Sequence, residues 1–410
     1  MRNSVQLRTG HPWWLLKNGI LGDYPPLLRE ARCDLAIVGG GITGALLADR
    51  LARSGQAVVV IDQRSIGEGS TAASTALLQY EVDTPLWLLA RRIGAESAAR
   101  IYSLGLESIR SIEKTAGSLK CDCGFSRRPS IKLASRSAHL PGLAREHTIR
   151  RAHGFATRLL SGPEVRRKYG FDRDGALLTR DAAQIDPYAF THGLLGRAIE
   201  NGARVHDRTT VLRYSVNRGG VKLHTDRGAT VVARRVIFAT GYETLDFMRP
   251  RLTQLRTTYA MVTDPLGARS PARKLPLMWE TARPYLYFRS TPDGRLIIGG
   301  GDTPRLGPEE TRRTLQRKTA WLDRALRKVL PGIEFEVAFS WSGVFGETRD
   351  TLPLIGANPA FPRALFALGY GGNGITFSVI AADVIEGLIN DGDHPDAALF
   401  SFDRSGTSVV

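Results

Sequence analysis

Cysteine is scarce in this sequence, with Cys33, Cys121 and Cys123 the only three in 410 residues. Three thiols cannot build a disulfide framework, which argues against a small secreted scaffold and points to a reducing, cytoplasmic setting. Cys121-Asp122-Cys123 has no third or fourth Cys or His at zinc spacing, so it reads as an ordinary loop and no metal site is expected. Long apolar runs are missing as well: no stretch of about 18 residues could cross a bilayer. The first residues lack a basic start followed by an apolar core, so no secretory signal is expected. The eight histidines are scattered without an H-x-x-x-H pair. No Ser/His/Asp or paired-carboxylate constellation stands out, and no residue is assigned a direct catalytic role.

Positive charge, by contrast, is abundant. The formal net charge is +16, and the excess is concentrated between Phe125 and Arg180, in "RRPSIK", "REHTIRRAHGFATR" and "EVRRKYGFDR". A basic surface can attract nucleic acid, an anionic membrane or an acidic partner. No aromatic-interleaved nucleic-acid motif accompanies it, so nucleic acid is not an expected partner. Peripheral membrane contact stays open, and a solvated basic face is the simplest reading. The length and a hydrophobic content of 42% suffice for a substantial core in about two or three domains.

The apolar run "CDLAIV" precedes "GGGITG", and "ALLADRLARSG" follows with small and apolar residues on a helical period. "QAVVVID" then reads as a second buried parallel strand ending at Asp62, eighteen positions past Gly44. This strand–turn–helix–strand unit is a dinucleotide site. Gly39 makes the tight turn, Gly41 lets backbone approach a pyrophosphate, and Gly44 lets helix pack on strand. Ile42 and Thr43 open a helix whose positive end faces the phosphates, and Asp62 can bind ribose hydroxyls. Gln63 and Arg64 follow directly. The Ser/Thr/Ala-rich stretch after them, with Ser70, Thr71 and Ser74, starts where a bound cofactor would lie. Val211 is expected at the same site. Far downstream "VIFATGYET" gives a strand ending in Ala239-Thr240-Gly241, whose small side chains would let a cofactor lie against it. With the complete first unit, this favours FAD over NAD.

A second G-x-G-x-x-G occurs at Gly369, Gly371 and Gly374 in "LFALGYGGNGITFS". A nicotinamide site needs a following parallel strand with an acidic residue about twenty positions on; here the chain reads "NDGDHPDAALFSFDRSG". "RLIIGGGDTPRLG" fails differently, with Pro304 where the third glycine belongs. The second loop is therefore expected to bring Gly371, Gly372, Asn373, Gly374, Ile375 and Thr376 against the same FAD, so that two loops serve one cofactor.

With "IVGGGITG", "VVVIDQR", "VIFATGYET", "YLYFRSTPDGRLIIGGGD" and "WSGVFGETRDTLPLIG" before "GYGGNGIT", nearly the whole chain resembles the D-amino-acid oxidase, glycine oxidase and sarcosine oxidase superfamily. The last two blocks look most like its γ-glutamylputrescine oxidase-like branch. The resemblance implies an α/β plus α+β fold, with a discontinuous glutathione-reductase-like FAD-binding domain and an antiparallel-sheet substrate domain. Mapped on this chain, 1–30 is an N-terminal extension. Residues 31–110, 175–245 and 340–398 form the FAD domain, and 111–174 with 246–339 form the substrate domain. "STPDG" reads as a hairpin turn, and "TRRTLQRKTAWLDRALRKVL" as an amphipathic helix with Leu315, Trp321, Leu322, Leu326 and Leu330 on its apolar stripe.

The implied enzyme is an FAD-dependent oxidoreductase acting on a C–N bond of a small amine or amino acid. A neutral amine gives hydride to flavin N5, the imine hydrolyses, and oxygen or an electron carrier accepts the electrons. A flavoenzyme acting on aminoalkyl groups of tRNA and a non-catalytic flavin-binding protein are the alternatives. The sequence departs from the family at two places. Amino-acid oxidases carry a carboxylate-binding arginine in a "G-x-R-P" segment, where this chain has "SGVFGE" with Phe345. A benzene ring cannot replace a guanidinium fork. Either the substrate lacks an adjacent carboxylate, or Arg289 or Arg349 binds the acid. Sarcosine-oxidase-like members attach FAD to a late cysteine; none follows Cys123, so FAD is expected noncovalently bound. Tyr285, Tyr287 and Arg289 alternate on one strand face and are candidate pocket residues with Tyr370. Phe288 points the other way, and Trp341 fits core and pocket equally.

Overall fold

The computed structural model describes residues 6–243 and 253–404. Two sheets organise them. The first has eight strands, with Leu354–Ala357, Ala364–Leu368, Thr230–Phe238, Ala31–Val38, Val58–Ile61 and Arg204–His206 side by side. Adjacent strands in this row run parallel, except that Leu354–Ala357 is antiparallel to its neighbour. "VVVI" and "ALFAL" are buried throughout because both faces of the sheet are covered. One face (Leu35, Ile37, Val58, Val60, Ile237) packs under the helices Ile42–Arg53, Pro187–Glu200 and Gly374–Asn390. The other (Ala36, Val59, Ile61, Phe238, Phe366) lies under an antiparallel meander formed by Val211–Asn217, Gly220–Thr225 and the start of Thr230–Phe238.

The second sheet has ten strands, and its long centre joins Val337–Glu347, Gln254–Thr263, Leu296–Pro304 and Leu286–Ser290 antiparallel. Leu277–Glu280 continues it and pairs parallel with Ser126–Leu133. The expected hairpin is present: Gly294 at φ +87° closes the turn, with its N–H donating to the Thr291 carbonyl at 2.9 Å. The helix Pro308–Val329 buries Leu315, Leu322 and Leu326 against this sheet, with Trp321 half-buried beside them and Leu330 buried just past its end.

Several segments pair differently from the expected domain division. Gly175–Gln184, expected in the FAD domain, is a strand of the second sheet beside Ser126–Leu133. Leu77–Leu78 joins the same sheet, and Val337–Glu347 crosses the division expected at 340. The helix Ala95–Ser118 runs through the one expected at 110. The N-terminal extension is built in rather than appended. Arg8–Gly10 pairs with Val337–Glu347, and Trp13 and Trp14 are core residues. The division expected at 245 lies outside the described residues. In the basic segment Arg150 is not solvated: it is buried between Glu146 (2.7 Å) and Glu81 (2.9 Å), over the rings of Tyr80 and Tyr102.

Candidate active site

A cavity of about 1050 Å³ is lined by residues of both sheets. Its floor on the first sheet is the glycine turn. Gly39 sits at φ +112°, and a Cβ there would meet the Ala239 carbonyl oxygen at 2.4 Å; one on Gly44 would meet the Gly39 oxygen at 1.8 Å. Those two glycines are demanded by packing, and Gly44 therefore faces its own turn and does not line the cavity. Gly41, Ile42 and Thr43 do line it; the helix they open has a glycine N-cap, and of its first N–H groups that of Ile42 donates to Thr71 Oγ1 at 3.0 Å. Asp62 lies beside them. Its Oδ2 accepts the Gly40 N–H at 2.6 Å and its Oδ1 that of Arg64 at 2.8 Å. Burial pushes the Asp62 carboxyl up to about 6, against those two bonds.

Gln63 and Arg64 also reach the cavity, where Glu243 receives both, Arg64 as a fork at 2.6 and 2.7 Å. Ser70, Thr71, Ser74, Val211, Thr240 and Gly241 complete this half.

The second glycine loop lines the same cavity with Gly371, Gly372, Asn373, Gly374 and Ile375. Thr376 does not; its hydroxyl turns back to the Asn373 carbonyl at 3.1 Å. Asn373 Nδ2 donates to the Glu81 carbonyl at 2.8 Å and the Gly372 N–H to Asp83 at 3.2 Å. The helix Gly374–Asn390 also begins without a side-chain cap. Its Ser378 hydroxyl is 2.7 Å from that of Thr43 on the first helix. Two helix N-termini thus open on one cavity, which favours anionic groups between them. The Thr240 hydroxyl is buried there without a protein partner, and a Cβ on Gly241 or Gly374 would meet nothing within 4 Å. The cradle fits a dinucleotide.

The far end is walled by the second sheet. Tyr285 and Tyr287 face it; the Tyr285 hydroxyl donates to Asp83 at 3.0 Å, and that of Tyr287 is 3.3 Å from Thr258 Oγ1. Burial pushes both phenols well above the usual range. Phe345, half-buried, and Tyr370 also line the cavity.

Arg289 and Arg349 do not. Arg349 is exposed away from the wall. Arg289 shares the face of the two tyrosines but lies beyond the cavity, behind its wall. It donates to the carbonyls of Thr75 (2.7 Å) and Ile185 (3.1 Å) and lies over the Trp14 ring. Burial pushes its guanidinium down to about 9. Trp341 Nε1 holds the Ala73 carbonyl at 2.8 Å and Trp14 Nε1 that of Ser74 at 2.7 Å. Three consecutive carbonyls of the cavity wall are therefore anchored from behind, by Trp341, Trp14 and Arg289.

Sequence reasoning missed Asp83, Trp279, Thr258, Glu243 and Asp302, which all line the cavity. Only Glu243 and Asp302 lay inside motifs singled out, "ATGYET" and "RLIIGGGD".

A family model described as FAD dependent oxidoreductase matches residues 34–388. The chain belongs to the DAO family of FAD-dependent oxidoreductases. Gamma-glutamylputrescine oxidoreductase of Escherichia coli (strain K12) is 27% identical over 387 residues, covering 91% of this chain and 88% of the relative. Glycine oxidase of Geobacillus kaustophilus (strain HTA426) is 28% identical over 385 residues, covering 91% and 97%. The crystal structure of glycine oxidase from Geobacillus kaustophilus superposes with a TM-score of 0.77 over 91% of this chain and 99% of that one, at 23% identity. That of L-amino acid deaminase from Proteus vulgaris gives 0.76 over 94% and 99%, at 17% identity; these likenesses carry the fold. This member of the family is thus an FAD-dependent enzyme with the mixed fold expected of it. Among the described residues no helix is long and apolar enough to cross a membrane.

Gly41→Val should yield a folded but colourless protein, since the added methyls would fill the space a diphosphate needs. Flavin absorbance of the purified variant checks this. Arg289→Met should leave two buried carbonyls without donors, at about 1–3 kcal/mol each. Thermal denaturation should show the loss, while relative Michaelis constants for an amino acid and its decarboxylated analogue stay unchanged. A selective rise for the acid would return Arg289 to a substrate role.

Proposed function

We propose that this enzyme oxidises the C–N bond of an amine that has no carboxylate beside the reacting nitrogen. One observation carries the reading. Among the described residues the only cationic side chains on the cavity wall are Arg64 and Arg213, both on the first-sheet side, and Arg64 is held by Glu243. The second-sheet end offers Tyr285, Tyr287, Trp279, Thr258, Phe345, Asp83 and Asp302 instead. A carboxylate placed there would be desolvated beside like charges with no guanidinium on that wall to receive it, Arg283 lying outside the lining.

Bound FAD supplies the acceptance of two electrons from the carbon next to nitrogen. Gly39, Gly41, Asp62 and the second glycine loop would hold it, and the helix starting at Gly374 favours negative charge on a group bound between the loops. Tyr285 and Tyr287, tied to Asp83 and Thr258, fix the opposite wall. Phe345 keeps it apolar, excluding water from the reacting centre. The product is an imine, which water converts to a carbonyl compound and the released amine, while oxygen or an electron carrier takes up the electrons.

The test is anaerobic bleaching of the flavin by matched pairs of an α-amino acid and its decarboxylated amine. The amines should bleach faster, and a consistently reversed order would sink the reading. Phe345→Arg should lower kcat/KM for the amine at least about tenfold by setting an unpaired guanidinium against an amine that reacts in its neutral form, whereas Phe345→Leu, which keeps apolar volume, should change it by less than about threefold.

A further inference from the structure

We propose that Asp302 selects substrates that carry a second positive charge, so that the amine oxidised is a diamine or an aminoalkyl chain with a distant ammonium. The inference rests on the amine reading above and names its substrate class.

Asp302 reaches the cavity because of a bulge. Thr257 pairs with Thr303 and Tyr259 with Gly300, so Thr258 alone faces Gly301 and Asp302. Gly300 and Gly301 take φ values of +143° and +71° there. A bulge breaks the alternation of the strand and re-aims a side chain, here that of Asp302 into the cavity.

The other wall carboxylates are engaged. Asp62 holds two backbone N–H groups, Glu243 holds Arg64, and Glu81 holds Arg150. Asp83 accepts from Tyr285 and Gly372, neither of them charged. Asp302 Oδ1 is buried without a hydrogen bond, and the neutral Thr258 hydroxyl is the group that faces the carboxylate across the bulge. On the same cavity wall, Trp279 is 8% exposed and its Nε1–H is likewise unpartnered. Both are polar groups that a ligand can satisfy, and the Tyr285 and Tyr287 rings on the same wall are apolar and cation-tolerant, whereas the Trp279 ring already carries Lys132 Nζ at 4.1 Å. Arg283 also acts on Asp302, but it is 60% exposed, lies over the Tyr285 ring and stands 3.9 Å from Glu347.

Asp302 suits a distant nitrogen better than the reacting one. An ion pair with a carboxylate favours the ammonium form, and an ammonium has no lone pair to assist loss of hydride from its neighbouring carbon. The reacting nitrogen is best left away from Asp302, with the second charge bound to it.

The experiment measures binding of 1,4-diaminobutane, 4-amino-1-butanol and butylamine to the dithionite-reduced holoenzyme by calorimetry, where no turnover occurs. Wild type should bind the diamine at least about tenfold more tightly than the amino alcohol, and Asp302→Asn should remove that preference while leaving the amino alcohol within about threefold. Flavin content and melting temperature of the variant report its integrity, and the wild-type comparison stands without it. Equal binding of diamine and amino alcohol to wild type, or equal weakening of both by Asp302→Asn, overturns the inference. If butylamine bleaches the oxidised enzyme in those circumstances, the amine reading survives; if only α-amino acids bleach it, that reading fails as well.

Discussion

The contact between the Thr43 and Ser378 hydroxyls, at 2.7 Å, marks the constraint around which the molecule is arranged. Two helices from opposite ends of the chain bring their N-termini to one place, neither with a capping bond from its own N-cap side chain. Each follows a strand of the same parallel sheet, Ala31–Val38 and Ala364–Leu368, with Thr230–Phe238 between them. The position of that middle strand explains why Ala239, Thr240 and Gly241 also border the cavity. Helix dipoles aimed at a common point repel one another unless an anion lies between them, and a dinucleotide's phosphates and an electron-accepting ring meet that need.

The rest of the architecture serves the opposite wall. The segment 73–75 passes between the two sheets, and its carbonyls are held by donors from the N-terminal helix and from two strands of the second sheet. Burying a guanidinium as Arg289 is buried is costly without hydrogen-bond acceptors; the Thr75 and Ile185 carbonyls supply them. The result is a wall whose polar backbone is satisfied from behind, leaving side chains to define the chamber. Carboxylates and aromatic rings line it.

The first glycine unit was legible because its spacing is set by contacts within a few residues or to one adjacent strand, as Gly39 against Ala239 and Gly44 against Gly39 show. Sharing of one cavity by two loops could be inferred from what failed to follow the second. Alternation correctly placed Tyr285, Tyr287 and Arg289 on one face, but a period of two gives the face and not the distance along the strand; Arg289 lies past the cavity's end. Asp302 was hidden by the bulge that reverses the alternation, and Asp83 by a loop without periodicity. Trp13 and Trp14 looked like an appendage because their partners, such as Ser74, lie some sixty residues away.

One nucleotide shared by two loops is what this arrangement of helices requires, and counting nucleotides tests it most directly. Purified protein should hold one FAD per chain, released completely into the supernatant by acid precipitation, and NADH should not bleach it anaerobically. A second nucleotide per chain, colour retained in the pellet, or rapid stoichiometric reduction by NADH would contradict it.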